Sequence, residues 1–284
     1  MMTGRLVLVA TPIGNLGDLS PRAVETLAAA DLVCCEDTRR SGRLLAHAGI
    51  TATRLLRVDE HTEERAAAEV CRLLDDGRLV AVVTDAGTPG ISDPGERLAR
   101  AALAAGHAVS VVPGPTAAVA ALVASGLPTG RFVFEGFLPR RGMERARRLA
   151  ELATERRTIV IYESPRRLGA TLTDLADIFG ADRPGAVARE LTKLHEEMVR
   201  GPLSELVDWA KGSVKGEIVV IVEGAPPPPD PTDDDLVSAV RAAMASGTSR
   251  RDASGEVAAE FGIGRRRVYE LALADSSSGD PSAS

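Results

Sequence analysis

Between residues 5 and 125 short apolar, β-branched runs alternate with helix patterns, and this alternation restricts the fold more than any other feature of the chain. The runs at 5–10, 31–35, 54–58, 79–84 and 109–112 read as strands; 21–30, 43–48, 63–76, 96–105 and 115–125 read as helices. Such alternation with short loops predicts an α/β fold, a mostly parallel sheet covered by helices. Pro21 and Pro115 suit the first turns of their helices, where a missing N–H costs nothing.

Three of the connecting loops are too rich in special residues for plain turns. Residues 85–95 hold Asp85, Gly87, Thr88, Pro89, Gly90, Ser92, Asp93, Pro94 and Gly95 between an apolar strand and a helix. Glycine lets backbone approach a ligand closely and proline rigidifies the intervening chain. The loop after the first strand carries Pro12, Gly14, Asn15, Gly17 and Asp18, and the loop after the fifth carries Pro113, Gly114, Pro115 and Thr116. All three lie at carboxyl ends of strands, where open α/β sheets bind ligands, and are expected to converge on one cleft.

A second set of elements follows a pause at 127–130: strands at 132–135, 158–162, 186–189, about 196–200 and 217–222, and helices at 143–153 and 166–179. The expected organisation is an N-terminal α/β domain over 1–127 and a second α/β domain over 128–224, with some antiparallel pairing. A stiff proline-rich linker over 225–233 precedes a helical module over 234–274 and a disordered tail over 275–284. At 284 residues and 44% hydrophobic composition, two cored domains are the natural expectation. In the module, Ser249, Arg250 and Arg251 open a helix, Gly262 closes it, and Arg265, Arg266 and Arg267 start the next, a helix-turn-helix-like pattern. Whether it touches nucleic acid or packs on a neighbour stays open.

Composition excludes several classes. Cys34, Cys35 and Cys71 form no paired motif and read as reduced core residues. His61 and His195 have no ligand-like spacing, so no metal is expected. The first apolar run is too short for a signal peptide or a membrane span, which predicts a cytoplasmic protein without membrane contact. The net charge of −6 argues against a protein that coats nucleic acid non-specifically. Residues 131–167 nonetheless hold ten Arg against five Glu.

Further residues could carry chemistry. Glu36 and Asp37 end the second strand and are followed by Arg39 and Arg40, an acid with arginines suited to phosphates. Their distance from the first loop also fits a dinucleotide site, but the G-x-x-G spacing does not, and a nicotinamide-dependent oxidoreductase leaves the other loops unexplained. Arg166 and Arg167 follow another strand tip. Glu190 and Lys193 place an acid and a base after a third, and could activate a hydroxyl by proton transfer.

Together these segments resemble the ribosomal RNA small subunit methyltransferase I family of the tetrapyrrole-methylase superfamily, the class III S-adenosylmethionine-dependent methyltransferases. One departure is that Arg166 stands where the family often has His. The resemblance implies a two-domain tetrapyrrole-methylase fold with S-adenosylmethionine in the cleft, a homodimer, and 2′-O-methylation of a cytidine in the decoding region of small-subunit (16S) rRNA. It implies cofactor contacts from Pro12, Gly14, Asp85, Gly87, Thr88, Gly90, Pro113, Gly114, Pro115 and Thr116, and from Ala188 and Glu217. Catalytic candidates are Glu190, Lys193, Glu36 and Asp37, with Arg39, Arg166 and Arg167 on the RNA. A tetrapyrrole C-methyltransferase and a non-enzymatic ribosome-assembly factor are the alternatives.

Overall fold

A computed structural model of the chain describes residues 4–51, 54–59, 62–227 and 230–277. His61, part of the proline run and the tail from 278 onward lie outside the described residues. The chain divides into two compact units, one up to Ala225 and one from Pro226.

The first unit opens with β1 (Arg5–Val9), α1 (Pro21–Ala29), β2 (Leu32–Cys35), α2 (Thr38–His47), β3 (Leu55–Arg57), α3 (Glu63–Asp75), β4 (Leu79–Val82), α4 (Glu96–Ala104), β5 (Ala108–Val112) and α5 (Ala117–Ser125). Its five strands form one wholly parallel sheet in the order β3-β2-β4-β1-β5. Both faces are covered. Leu6, Leu32, Val80 and Leu98 pack on one side, Val7, Leu27, Val33 and Val83 on the other. The double burial explains why the strands are apolar throughout rather than alternating. Cys34 and Cys35 lie inside β2, and the three cysteines are free.

The chain continues through β6 (Phe132–Phe137), α6 (Gly142–Ala153), β7 (Thr158–Glu163), α7 (Leu168–Phe179), β8 (Pro184–Arg189), β9 (Glu197–Pro202), α8 (Leu203–Ala210) and β10 (Ile218–Val222). These strands make a mixed sheet, β6-β7-β10-β8-β9, with β6 and β7 parallel and the other pairs antiparallel. The two sheets therefore belong to two lobes of one compact unit.

Local chemistry explains where several elements begin. Ser20 caps α1 through the Ala23 N–H, with Pro21 in the first turn. Asp37 caps α2 through the Arg39 N–H, so this helix starts at Thr38 rather than at 43 and carries Arg39 and Arg40 in its first turn. Pro115 lies outside α5, whose N-cap position is Thr116. Arg166 and Arg167 precede α7 rather than opening it. Helix α8 has no counterpart in the sequence expectations.

The largest difference concerns α5. The sequence pattern puts it at the close of the N-terminal domain, yet Ala118, Ala121 and Leu122 pack with Val160, Ala186, Ala188, Val219 and Ile221 of the second sheet. By packing, the lobes meet at the 113–116 loop, not near 127. The helix is apolar all round, so its periodicity carries no information about which sheet it covers.

The second unit holds α9 (Asp233–Ala245), α10 (Arg250–Phe261) and α11 (Arg265–Ser277) around Leu236, Val240, Val257 and Val268. Thr232 and Asp235 form a reciprocal capping box, and left-handed Gly262 ends α10. The last helix runs to Ser277, three residues past the expected end of the module. Among the described residues no helix is long and apolar enough to cross a membrane.

Candidate active site

Strand order decides where the glycine-rich loops meet. From β1 the chain leaves towards β2 on one side, and from β4 it leaves towards β5 on the other, so the switch point falls between adjacent β1 and β4. There the first two loops are stitched together: the Thr11 N–H donates to the Gly87 carbonyl at 2.8 Å and the Gly87 N–H to the Thr11 carbonyl at 3.1 Å. Gly87 adopts φ +83°, a conformation that disfavours a side chain. At the far end of the 85–95 loop, Glu63 is buried in α3 and its carboxylate accepts the N–H groups of Gly95, Arg97 and Leu98 at 2.9, 3.0 and 3.2 Å. It caps α4, whose N-cap glycine has no side chain to do so.

The second lobe offers its own strand tips to the same opening. The carboxyl ends of β6, β7 and β8 and the start of β10 lie on one edge because β10 runs opposite to its neighbours. Between the lobes is a cleft of about 420 Å³. Glu36, Asp85, Thr88, Asp93 and Thr116 line it from the first lobe and adjoining loop; Phe137, Tyr162, Ala188 and Glu217 line it from the second. The Ala118 N–H donates to the Tyr162 hydroxyl at 3.2 Å, tying α5 to the wall.

The cleft is acidic. Arg40 pairs with Asp85 at 3.0 Å and, among the described residues, is the one cationic side chain in the lining. Burial, reinforced by Asp85 and Asp93 against the opposing Arg40, pushes the Glu36 carboxyl above its ordinary range. Asp93 moves the same way, again chiefly by burial. Glu36 is thus a half-exposed carboxyl with raised proton affinity, facing the space where a ligand would sit.

The expected site residues divide clearly. Glu36, Asp85, Gly87, Thr88, Thr116, Ala188 and Glu217 line the cleft. Pro12, Gly90, Pro113, Gly114 and Pro115 stand behind it: the Gly90 N–H donates to the Pro94 carbonyl, and the Pro115 carbonyl accepts from the Thr88 hydroxyl at 3.5 Å. At Gly114 a Cβ would come within 2.9 Å of the Ala10 Cβ. Gly14 serves contact between lobes: a Cβ there would meet the Lys193 Cγ at 2.5 Å, the Thr192 hydroxyl at 2.7 Å and the Leu191 carbonyl at 2.9 Å.

Asp37 lies outside the lining, committed to its cap and to a pair with Arg39 at 2.9 Å that holds its carboxyl well below the usual range. Arg39 is largely exposed. Glu190 and Lys193 also stand outside the lining, in an ion cluster. The Lys193 ammonium donates to Glu190 at 2.8 Å and to Glu217 at 2.9 Å, and the Glu217 N–H donates to Glu190 at 2.8 Å. Hydrogen bonds from Lys193 and the Glu217 backbone lower the Glu190 carboxyl. Burial opposes the Lys193 charge, but bonds to both carboxylates outweigh it and raise the ammonium. Neither group is poised to take a proton. Arg167 reaches the Leu138 carbonyl at 2.8 Å and Glu163 at 3.2 Å, inside the second lobe, while Arg166 is exposed.

Asp93, Phe137 and Tyr162 are lining residues to which no sequence expectation gave a role of their own; Asp93 lies inside the 85–95 loop. Arg40, expected to serve phosphates, lines the cleft paired with Asp85. Phe137 follows no motif, because its placement depends on a bulge between paired strands.

Residues 5–207 match the family model of tetrapyrrole (corrin/porphyrin) methylases. The chain is 47% identical over 275 residues, 96% of each chain, to the ribosomal RNA small subunit methyltransferase I of Mycobacterium tuberculosis (strain ATCC 25618 / H37Rv). It is 52% identical to that of Xylella fastidiosa (strain Temecula1 / ATCC 700964), covering 78% of this chain and 82% of the relative. Among solved structures it superposes on the uroporphyrin-III-C-methyltransferase from Thermus thermophilus with a TM-score of 0.57 at 25% identity, covering 78% of this chain and 95% of that one. The methyltransferase CobJ gives 0.61 at 22% identity, with coverage of 78% and 95%. With the interlobe cleft, the parallel and mixed sheets and near full-length identity in agreement, the chain belongs to the tetrapyrrole methylase family, within the group of ribosomal RNA small subunit methyltransferase I.

Proposed function

We propose that this protein uses S-adenosylmethionine to methylate the 2′-hydroxyl of a cytidine in the decoding region of 16S rRNA, with Glu36 as the proton acceptor. The observation that carries the reading is the acidic interlobe cleft with the raised Glu36 carboxyl at its wall. Identity to relatives named for small-subunit rRNA supports the substrate.

The residues present suit this cofactor. A cleft of about 420 Å³ falls within the roughly 300–1,000 Å³ of small-molecule sites. Glu36, Asp85, Asp93 and Glu217 outnumber Arg40 in the lining, a field that favours a cationic ligand bearing hydroxyl and ammonium groups. When bound, S-adenosylmethionine supplies a methyl group activated by a sulfonium. The chain's own work is to hold the acceptor in line and to receive a proton. A ribose hydroxyl is a weak nucleophile, and a carboxyl with raised proton affinity is better matched to it than an ordinary one. Lys193, fixed by Glu190 and Glu217, positions the β10 edge instead of transferring protons. Exposed Arg166 and Arg39 are available to phosphates.

The reading extends to a cytoplasmic homodimer. Val111 on edge strand β5, and Val119 and Val123 on α5, are exposed apolar side chains of the first unit that a second copy could cover.

Transfer of tritiated methyl to small subunits lacking the modification, with naked rRNA and a tetrapyrrole in parallel, tests the substrate. Label mapped to a 2′-O-methylcytidine is the expected result; label in the tetrapyrrole alone overturns it. Glu36→Gln is expected to lower kcat about 10²- to 10⁴-fold at saturating cofactor. Near-normal turnover would remove Glu36 from the chemistry.

A further inference from the structure

The cleft has an aromatic wall that the chemistry above does not use. The chain holds five Phe, two Tyr and one Trp. Three of these, Phe134, Phe137 and Tyr162, gather at one place. Tyr162 meets Phe134 edge to face at 4.9 Å between centroids and Phe137 at 5.7 Å. Tyr162 is fixed by α5 through its hydroxyl, so the cluster is anchored. Phe137 nevertheless remains 55% exposed and lines the cleft.

Its position is built by a bulge. Along β6, Phe134 pairs with Val160, Gly136 with Ile161 and Phe137 with Tyr162, so Glu135 is the extra residue. Regular alternation would put Phe134 and Phe137 on opposite faces of the sheet. The bulge returns Phe137 to the face shared by Phe134, Val160 and Tyr162, the face that α5 covers. Bulges beside active sites re-aim a side chain in this way. Gly136 provides the turn with φ +65°, and a Cβ there would stand 3.3 Å from the Ser92 hydroxyl of the opposite lobe. The bulge is also braced: Arg148 holds Glu135 through a two-pronged ion pair.

The chain beyond Phe137 is anchored and then left cationic. The Leu138 carbonyl accepts from Arg167 at 2.8 Å and the Pro139 carbonyl from Arg145 at 3.0 Å. Arg140 and Arg141 follow, both exposed. A rigid ring at the cleft mouth with arginines a few residues on is the pairing by which proteins hold unstacked RNA bases, the ring taking a base face and the cations the backbone.

We propose that Phe137 is the stacking platform for the base whose ribose enters the cleft, and that Arg140 and Arg141 hold the flanking phosphates. This is a positioning and selectivity role that rests on the rRNA reading above. The ring presents no hydrogen-bonding group, so it orders a splayed nucleotide without choosing its letter.

Phe137→Ala, Phe137→Leu and Phe137→Trp, assayed on small subunits lacking the modification, test it. The alanine variant is expected to lose about tenfold to a hundredfold in kcat/KM for the RNA, with Kd for S-adenosylmethionine within about twofold of the parent. Trp should restore most of the activity and Leu should not. Arg140→Ala with Arg141→Ala should weaken RNA binding and flatten its salt dependence. Full activity of the Leu variant would reduce the ring to apolar packing, and a large loss of cofactor affinity in the Ala variant would assign it to the methyl donor instead; either overturns the proposal. If the parent protein labels no RNA, the rRNA reading itself fails. If the parent labels RNA and the Ala variant labels it equally, only the platform fails.

Discussion

The two lobes hold their cleft loops by different means. In the parallel lobe the interior is aliphatic, and the loops are pinned by backbone: the Thr11–Gly87 bridge, left-handed glycines, and one buried carboxylate, Glu63, on the start of α4. In the mixed lobe the loops are tied by charged side chains set into the interior. Glu163 accepts from the Ser164 N–H at 2.7 Å and the Thr171 hydroxyl at 2.6 Å and pairs with Arg167. Arg145 joins Thr171 at 3.1 Å and Asp174 at 2.7 Å. The cause is topological. A parallel sheet sends every strand's carboxyl end to the same edge, so neighbouring loops can bond each other directly. In the mixed sheet the cleft edge receives strand ends and a strand start; there a backbone bond from the Glu190 N–H to the Glu217 carbonyl at 2.9 Å is joined by bridging side chains.

The sharpest way to break this contrast is to remove each lobe's buried acid. Glu163→Ala removes the buried carboxylate that pairs with Arg167 and accepts from Thr171, leaving Arg167 with the Leu138 carbonyl, and is expected to cost about 3–5 kcal/mol in urea unfolding. Glu63→Ala removes the carboxylate that accepts from the buried Gly95 and Leu98 N–H groups and should cost about 2–3 kcal/mol, with Glu63→Gln recovering much of it because an amide oxygen still accepts. Equal costs for the two alanine variants would mean that the lobes do not differ as described. Gly14→Ala probes their junction. Its Cβ collides with a movable Lys193 side chain but also with the Leu191 carbonyl, so about 1–2 kcal/mol of overpacking is expected, read as a melting temperature lowered by roughly 2–8 °C.

The smallest effect concerns Glu36, and its sign is informative. Because the folded protein raises this carboxyl, it binds more protons than the unfolded chain between the ordinary value of 4.5 and the raised one. Stability therefore falls as pH rises through that window. Glu36→Gln, which cannot ionise, should melt slightly higher than the parent at pH 7.5 and no higher at pH 4. A variant that is less stable at both would show that Glu36 is structural rather than held at a cost for chemistry.

Much of the first lobe is legible in the residues alone. Alternation predicts a parallel sheet, and glycine-rich loops after strands one, four and five predict one ligand cleft, because both follow from short-range chemistry. The start of α2 is legible in principle, since Asp37 is a good capping residue, but charges at a strand tip read as easily as a loop. Glu190 and Lys193 look like an acid and a base from their spacing; folding turns them into an ion cluster by bringing Glu217 across from the start of β10.

The amino-acid sequence by itself determined the element types, the glycine and proline cradle and the acidity available to the cleft, because propensity, turn chemistry and charge act over a few residues. Tertiary structure decided which sheet α5 covers, which of several carboxyls line the cleft with raised proton affinity, and on which side of β6 Phe137 emerges. These depend on burial and on strand register, quantities that arise only when distant segments pack, and a one-residue bulge is enough to reverse the last of them.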